Sequence, residues 1–185
     1  MKRLLSGLVK KTHRTGGDDE RFGTGLWRHN RDRFIRVVDR YYTTALALHE
    51  ARPSGDSAAS GAASARDEVT GAGRDPVDVI VDGTHRLNAL VDVVDGITAD
   101  LHACCPVTGQ VVPGPDRNAV GDVPELLTKA SSKVGEAVLA ASMARTEAPA
   151  GRPIDSSAQA TARFIADAEE LLGRARENLA RLGPS

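Results

Sequence analysis

Apolar residues recur every three or four positions in four stretches of the chain, and this spacing predicts four amphipathic α-helices. The first covers about residues 26–52, with Thr24 as its expected N-cap, and it ends before Pro53. Its apolar stripe predicts one wall of a core. The stripe consists of Trp27, Phe34, Val38, Tyr41, Tyr42, Ala45 and Leu48.

The second predicted helix begins at "DPVD" and ends at Cys105, before Pro106. Asp75 as the cap, Pro76 at the first helical position and Asp78 in the first turn all suit the free amides of a helix start. Its stripe is Val77, Ile80, Thr84, Leu87, Val91, Val94, Thr98 and Leu101, widened by Val81, Leu90 and Ile97. An alternative interpretation of "DVIVDG" is a buried strand of an α/β domain, but a parallel sheet needs several such runs, so the helix is favoured.

The third predicted helix begins at "DVPE", where Asp122 is the expected cap and Glu125 its capping-box partner. Its apolar face is Leu126, Leu127, Ala130, Val134, Ala137, Val138 and Ala141. The fourth begins at Asp155 or Ser156 and closes at "GP", residues 183–184. Its apolar face is Phe164, Ile165, Ala168, Leu171, Leu172, Ala175 and Leu179.

The segments between these helices have few apolar residues to bury. Residues 52–75 are rich in Ser, Gly, Ala and Asp, which predicts a disordered linker, and residues 106–122 predict a loop. The fold predicted from the whole pattern is all-α. It is an antiparallel four-helix bundle of residues 24–185, preceded by a flexible basic N-terminal arm, residues 1–23, and carrying a long disordered loop between its first two helices.

Composition supports this prediction and narrows the class of protein. Only six of the 185 residues are aromatic, so the core must be built from aliphatic side chains and alanine, which favours close helix packing. No segment approaches the roughly 20 apolar residues of a membrane span, and the N-terminal apolar stretch is too short for a secretory signal. The adjacent Cys104 and Cys105 cannot join distant elements, which fits a reducing compartment. We therefore expect a cytoplasmic protein, and its preference for Arg over Lys suggests a GC-rich bacterial genome.

The net charge of −1 conceals a strong asymmetry along the chain. Residues 1–40 carry eleven Lys or Arg against five Asp or Glu, a net charge of +6, whereas the other 145 carry thirteen against twenty, a net charge of −7. Positive charge in the first fifth of the chain indicates an anionic contact, either within the molecule or outside it.

The first predicted helix carries arginines interleaved with aromatic residues, a pattern that suits a nucleic-acid surface. The candidate contacts are Arg28, Arg31, Arg33, Arg36 and Arg40. Aspartates of the second helix offer a competing explanation, because antiparallel packing would bring the two sets of charges together. The pairs expected from this packing are Arg36 with Asp92, Arg33 with Asp95 and Arg28 with Asp100. This internal neutralisation makes a nucleic-acid partner the less favoured interpretation.

The chain shows little sign of catalytic chemistry. Antiparallel packing would bring His49 close to Asp82 and His85, a weak candidate for a metal site, but the sequence has no His-x3-His or Glu-x-x-His pair. It has no phosphate-binding glycine loop, nucleophile elbow or dinucleotide fingerprint either. We therefore expect no cofactor, no catalytic residue and no metal.

The first fourteen residues carry a short apolar stripe surrounded by cations. If residues 2–14 form a helix, this is the pattern of a helix that lies on an anionic membrane surface. The expected contacts are Lys2, Arg3, Leu4, Leu5, Leu8, Val9, Lys10 and Lys11. The segment could equally be a disordered tail or pack on the bundle through its leucines. A single copy would bind a membrane weakly, whereas several copies in an oligomer would bind firmly.

These observations favour a non-enzymatic bacterial adaptor or scaffold. In this hypothesis the helical bundle binds a protein partner, and the N-terminus contacts the inner face of the cell membrane, so the protein is cytoplasmic or peripheral to that membrane. A homo-oligomer is compatible with the sequence. The second hypothesis is a nucleic-acid-associated protein that uses the basic first forty residues, and the third is a metal-dependent helical-bundle enzyme.

Overall fold

The computed structural model describes residues 15–52 and 74–182, which form helices packed around one core. The α-helices of these residues are α1 (Thr15–Phe22), α2 (Leu26–Glu50), α3 (Pro76–Cys104), α4 (Arg117–Val120), α5 (Val123–Glu147) and α6 (Asp155–Leu182). A 3-10 turn, Ala148–Ala150, follows α5, and the described residues contain no strand. The predicted all-α class is confirmed, and the strand interpretation of "DVIVDG" is wrong because these residues lie within α3. None of the described helices is long and apolar enough to cross a membrane.

Of the caps predicted for α2 and α3, that of α3 is confirmed and that of α2 is wrong. The Asp75 side chain accepts a hydrogen bond of 2.8 Å from the Val77 amide, so the predicted cap of α3 is confirmed. Thr24 does not cap α2, because the helix starts one residue later, after Gly25. A Cβ atom on Gly25 would overlap the carbonyl oxygen of Val107, so this position requires glycine where the chain after α3 passes the start of α2.

The predicted caps of the last two helices differ in detail from the structure. Asp122 does precede α5, but its side chain caps no amide of that helix. It accepts a hydrogen bond of 2.7 Å from the Asn178 side chain instead, which joins the start of α5 to the end of α6. Asp155 is the first residue of α6 rather than its cap. Its carboxylate lies in the first turn, where negative charge interacts favourably with the helix dipole.

The contacts between the long helices define their directions. Trp27 bonds to Cys105 and Tyr41 to Ile80, so α2 and α3 run antiparallel. The Asp122–Asn178 and Glu147–Ser157 contacts show that α5 and α6 are antiparallel as well. Between α3 and α6, residue numbers rise together, from Gly83 beside Ile165 to Arg86 beside Glu169. The long helices therefore form two antiparallel pairs, α2 with α3 and α5 with α6. Between the pairs, α3 runs parallel to α6 and α2 runs parallel to α5. This arrangement differs from the predicted bundle, in which all neighbouring helices are antiparallel.

The core is formed by all four long helices and follows the predicted stripes closely. Every residue of the predicted α5 face is buried. Alanines supply much of the contact between α5 and α6, which lets these helices approach closely. The predicted stripes are slightly too wide, since nine of their members are only partly buried. These are Val38, Tyr42, Val77, Val81, Thr84, Val91, Phe164, Leu171 and Leu179.

The predicted N-terminal arm is shorter than expected, because its last part is the ordered helix α1. Phe22 in this helix is 1% exposed, and the guanidinium carbon of Arg31 lies 4.2 Å from the centre of its ring. Asp18 and Asp19 of the same helix face Arg28 of α2. The prediction that residues 15–23 belong to a flexible arm is therefore wrong, and residues 1–14 lie outside the described residues.

Both predicted loops begin or end in ordered structure. At the two ends of the predicted linker, Arg52 donates a hydrogen bond of 2.8 Å to Asp78 and Arg74 lies 3.1 Å from Asp82. Both ends of the linker therefore form ion pairs with α3. Residues 53–73 lie outside the described residues. The segment 106–122 contains α4 and is packed on the core rather than free. Its buried residues are Val107, Val112 and Val120.

Gly83 in α3 is a position where the core requires the absence of a side chain. A Cβ atom there would overlap the Tyr41 hydroxyl and lie 2.7 Å from the Cδ1 atom of Ile165. That hydroxyl donates a buried hydrogen bond of 2.7 Å to the carbonyl oxygen of Ile80, and burial raises the pKa of Tyr41. The hydroxyl is therefore held against the backbone of α3.

We expect Gly83→Ala to lower the free energy of unfolding by about 1–3 kcal/mol, because overpacking outweighs the better helix propensity of alanine. The matched control is Gly96→Ala in the same helix, where a Cβ atom would meet nothing within 4 Å. This control should raise the free energy of unfolding by up to about 1 kcal/mol. Urea denaturation measures both changes, and an increase in stability for both variants would contradict the packing described here.

Candidate interaction surface

The two most N-terminal candidate arginines are neutralised within the molecule. Arg28 lies 2.9 Å from Asp32 and 3.0 Å from Asp19. Arg31 lies 2.7 Å from Asp95 of α3, and its side chain is only 13% exposed. These two arginines hold α1, α2 and α3 together, so their charge is used inside the fold.

The predicted charge register between α2 and α3 is wrong in detail. Asp95 pairs with Arg31 rather than with Arg33, and Arg28 pairs with acids of α1 and α2 rather than with Asp100. The direction of packing was predicted correctly, but residues two apart on a helix point about 200° away from each other. Arg31 therefore faces α3, whereas Arg33 faces away from it.

Arg33, Arg36 and Arg40 pair with none of the acids in the two described ranges, 15–52 and 74–182. Among the described residues, no carboxylate oxygen lies within 4 Å of their side-chain nitrogens. Their spacing of three and four residues places all three on one side of α2. Arg36 and Arg40 are exposed, and Arg33 is partly exposed. This row is therefore an exposed basic strip on α2 that no described acid neutralises.

An open cleft of about 580 Å³ lies next to this row, between the parallel helices α2 and α5. Val37 and Arg40 line it from α2, and Ser132, Gly135, Glu136, Val138, Leu139 and Ser142 line it from α5. Three of the α5 residues, Ser132, Gly135 and Ser142, are small, and the cleft is open to solvent. A second cleft, between α3 and α6, is about 270 Å³ and is lined by Asp92, Asp100 and Arg176, charges of both signs.

Leu139 lines the first cleft, and Met143 follows it on α5; both large apolar side chains face solvent. Leu139 is 67% exposed and Met143, one turn further along α5, is 57% exposed. The acid that lines the cleft is already paired, since the Lys133 ammonium lies 2.8 Å from Glu136, a contact that raises the pKa of Lys133. We call the surface formed by Arg36, Arg40, Val37, Leu139 and Met143, together with the small residues between them, the α2–α5 face. It combines exposed apolar area with positive charge that no acid in the described part of the chain neutralises.

Leu139 and Met143 were missed by the sequence analysis, although a signal was present. Both residues fall outside the apolar stripe of the third predicted helix, which ends at Ala141. A large apolar residue off the buried stripe of an amphipathic helix is a marker of an interaction surface, particularly when a second one follows at i+4. The cleft itself depends on which helices are neighbours, so it could not be read from the sequence.

The candidate metal ligands do not form a site. His49 and His85 are exposed, and Asp82 pairs with Arg74. In the part of the chain that the structure describes, no three His, Cys, Asp or Glu side chains are grouped so that they could hold a metal ion. The third hypothesis, a metal-dependent enzyme, therefore gains no support from the positions of these residues.

Both cysteines are free thiols at the end of α3. Cys105 is buried and its carbonyl oxygen accepts the Trp27 indole hydrogen bond, while Cys104 is exposed. Desolvation, followed by a hydrogen bond with Cys105, raises the pKa of Cys104 to about 11. This arrangement suppresses the reactive thiolate.

We expect the alkylation rate of Cys104 at pH 7.5 to be about one order of magnitude lower than that of an unstructured cysteine. The raised pKa makes the thiolate rarer, and the higher nucleophilicity of each thiolate offsets only part of this effect. Its rate should continue to rise as the pH is raised from 9 towards 11. Iodoacetamide labelling followed by mass spectrometry measures this profile, with the urea-unfolded protein as the control. A rate in the native protein that levels off near pH 8.5 would contradict the environment described.

The remaining candidate residues, Lys2, Arg3, Leu4, Leu5, Leu8, Val9, Lys10 and Lys11, lie outside the described residues, so the proposed membrane contact rests on sequence alone. The five candidate nucleic-acid arginines divide into two that are paired and three that have no ion pair with another described residue. The chain matches no model of a protein family, and it shows no significant similarity to a curated protein or to a solved structure.

Proposed function

We propose that this protein is a non-enzymatic adaptor whose α2–α5 face docks a protein partner. The observation that carries the proposal is the exposure of Leu139 and Met143 beside arginines that have no acidic partner within residues 15–52 and 74–182. In this proposal the four long helices act as one four-helix bundle, a rigid scaffold for the face. Such scaffolds suit recognition because the binding residues lie on packed helices rather than on loops.

The apolar part of the face supplies the free energy of docking. Burying a leucine or methionine side chain contributes roughly 1.5–3 kcal/mol, so two such anchors in one patch would supply a substantial part of the free energy of docking. The arginines beside them give the partner its orientation and raise the rate of encounter with an acidic surface.

A nucleic-acid partner is less well supported than a protein partner. Three arginines are available rather than five, and three of the four aromatic rings of α2 are in the core, since Trp27, Phe34 and Tyr41 are at most 1% exposed. Exposed Leu139 and Met143 also contribute nothing to phosphate binding.

A membrane tether formed by residues 2–14 is the second part of the proposal and derives from their sequence pattern. The test is flotation with vesicles that contain anionic lipid. Full-length protein should float with these vesicles and not with neutral ones, and deletion of residues 2–14 should abolish flotation. Flotation that survives the deletion would assign the membrane contact to another part of the chain and remove the tether.

The docking face is tested by site-specific crosslinking in a lysate of the producing cells. A photoreactive residue is introduced as Met143→p-benzoylphenylalanine, and the matched control carries it as Val111→p-benzoylphenylalanine. Val111 is equally apolar and 70% exposed, but it lies in the segment between α3 and α4. We expect a discrete adduct from position 143 and none from position 111, and the adduct should disappear when Leu139→Asp is added.

The identified partner should then bind the purified protein in a calorimetric titration, with Leu139→Asp weakening the affinity by at least about tenfold. Identical adducts from positions 143 and 111 would show that exposure alone causes the crosslink. That outcome, or an affinity unchanged by Leu139→Asp, would contradict the proposed face.

A further inference from the structure

Given the proposed docking function, on which this inference rests, the geometry points to one class of partner: we infer that the α2–α5 face receives an amphipathic α-helix of another protein, with an apolar stripe flanked by acidic residues. The apolar stripe would lie against Val37, Leu139 and Met143. The acidic flank would lie against Arg36 and Arg40, which are exposed and have no described carboxylate within 4 Å.

The choice of a helix follows from the backbone of the face. Both walls of the cleft are α-helices, so their amides and carbonyls are bonded internally and offer no edge to an extended peptide. An extended partner would bury unpaired backbone groups, whereas a helical partner satisfies its own. Small residues in the α5 wall allow a third helix to approach, and a Cβ atom built on Gly135 meets nothing within 4 Å.

The choice of acidic flanks follows from the unequal distribution of charge around the cleft. Arg40 lines its α2 side, and exposed Arg36 lies one turn before Arg40 on the same helix. The acid on its α5 side, Glu136, is paired with Lys133. A neutral partner would leave the arginines partly desolvated without a counter-charge, and a basic partner would be repelled. Carboxylates on one flank of the docked helix would meet these arginines directly.

Two other occupants fit the face less well. A second copy of the chain, related by a two-fold axis, would add a second set of these arginines to the interface, and the one acid that lines the cleft, Glu136, is already paired with Lys133. A bilayer surface cannot fill a concave cleft of about 580 Å³, although it could contact Leu139 and Met143 above it. Both occupants are nonetheless distinguishable in the experiment.

The experiment is a display selection with helical peptides of about 18 residues, long enough to span the roughly 15 Å between positions 132 and 142 of α5. Leucines are fixed at i, i+3, i+4 and i+7, and the flanking positions are varied among Glu, Gln and Lys. The bait is the full-length protein, and the matched bait is the double variant Arg36→Glu and Arg40→Glu, which changes only exposed positions. Circular dichroism checks that both baits are folded.

We expect selection on the natural protein to enrich Glu over Lys at the flanking positions by at least about tenfold, and selection on the double variant to reverse the preference. The Leu139→Asp variant should retain none of the enriched peptides. Enrichment of Gln or Lys on the natural protein, no enrichment, or enrichment that Leu139→Asp leaves unchanged would overturn the inference.

The selection separates this inference from the proposed function. If the position-143 crosslink identifies a partner that binds through Leu139 while the selection shows no preference for Glu, the face docks proteins by other chemistry and the inference alone is lost. If the crosslink fails as well, both are lost. A dimer in light scattering that Leu139→Asp disrupts would assign the face to a second copy of the chain. Binding of the protein without residues 2–14 to anionic vesicles, abolished by Leu139→Asp, would assign the face to a membrane. Either result would overturn the inference.

Discussion

Trp27→Ala is expected to lower the free energy of unfolding by about 3–5 kcal/mol, a large fraction of the 5–15 kcal/mol typical of a domain. Trp27 is fully buried, and its indole nitrogen donates a hydrogen bond of 2.8 Å to the carbonyl oxygen of Cys105. The substitution therefore opens a large cavity and leaves a buried carbonyl unpaired where the start of α2 meets the end of α3. Trp27 is the single tryptophan of the chain, so the variant has no tryptophan fluorescence to follow. Urea denaturation followed by circular dichroism therefore measures the loss of stability.

Two control variants separate volume from hydrogen bonding at this position. Trp27→Phe retains most of the volume but not the donor, so it should cost less than Trp27→Ala, about 1–3 kcal/mol. Val111→Ala, at a site that is 70% exposed, should change the stability by no more than about 0.5 kcal/mol. A Trp27→Ala protein as stable as the Val111→Ala protein would contradict the described core.

Phe22→Ala is expected to detach α1 while the four long helices remain folded. Phe22 is the one residue of α1 that buries a large side chain, and an isolated helix of eight residues is not stable in water. The substitution removes about 3–5 kcal/mol of packing, which the exposed ion pairs of Asp18 and Asp19 cannot replace. Arg28 and Arg31 would still keep Asp32 and Asp95 as partners.

Hydrogen exchange followed by mass spectrometry distinguishes local detachment from global unfolding. We expect the amides of residues 15–22 to lose their protection in Phe22→Ala, and those of Leu26–Glu50 and Val123–Glu147 to retain it. The control is Glu20→Ala, which changes an exposed residue of the same helix. Continued protection of residues 15–22 in the Phe22 variant, or loss of protection in every helix at once, would contradict a separately docked α1.

The long helices could be predicted from the sequence because periodicity and start signals agree. Asp75 followed by Pro76 marks the start of α3 in residue types alone, and α3 begins there. Gly25 could not be recognised in the same way, since its role depends on the approach of Val107 from a distant part of the chain. The helix α1 was missed because it is short, contains two glycines and buries only one large side chain.

The neutralisation of the basic region was predicted in kind but not in detail. Aspartates do oppose arginines across α2 and α3, yet the acids of α1 and Asp32 within α2 satisfy Arg28, and Asp95 reaches Arg31. A shift of two residues around a helix is enough to exchange a buried arginine for an exposed one. For this reason the sequence could name a basic helix but could not identify Arg36 and Arg40 as its free members.

The α2–α5 face could not be predicted from the sequence, because it depends on which helices are neighbours. Leu139 and Val37 are about a hundred positions apart in the chain, and they line one cleft only because α2 packs beside α5. A strictly up-and-down arrangement with every neighbour antiparallel would have placed other helices beside α2. The candidate surface is therefore a consequence of the tertiary arrangement rather than of any local motif.

The most direct test of the α2–α5 face as the docking surface is an NMR titration of the isotope-labelled, full-length protein with the partner identified by crosslinking. Amide shift changes should be confined to residues 33–43 of α2 and 132–146 of α5, and Leu139→Asp should remove them at the same partner concentration. Shift changes centred on α3 and α6, or changes that Leu139→Asp leaves intact, would contradict the proposed face.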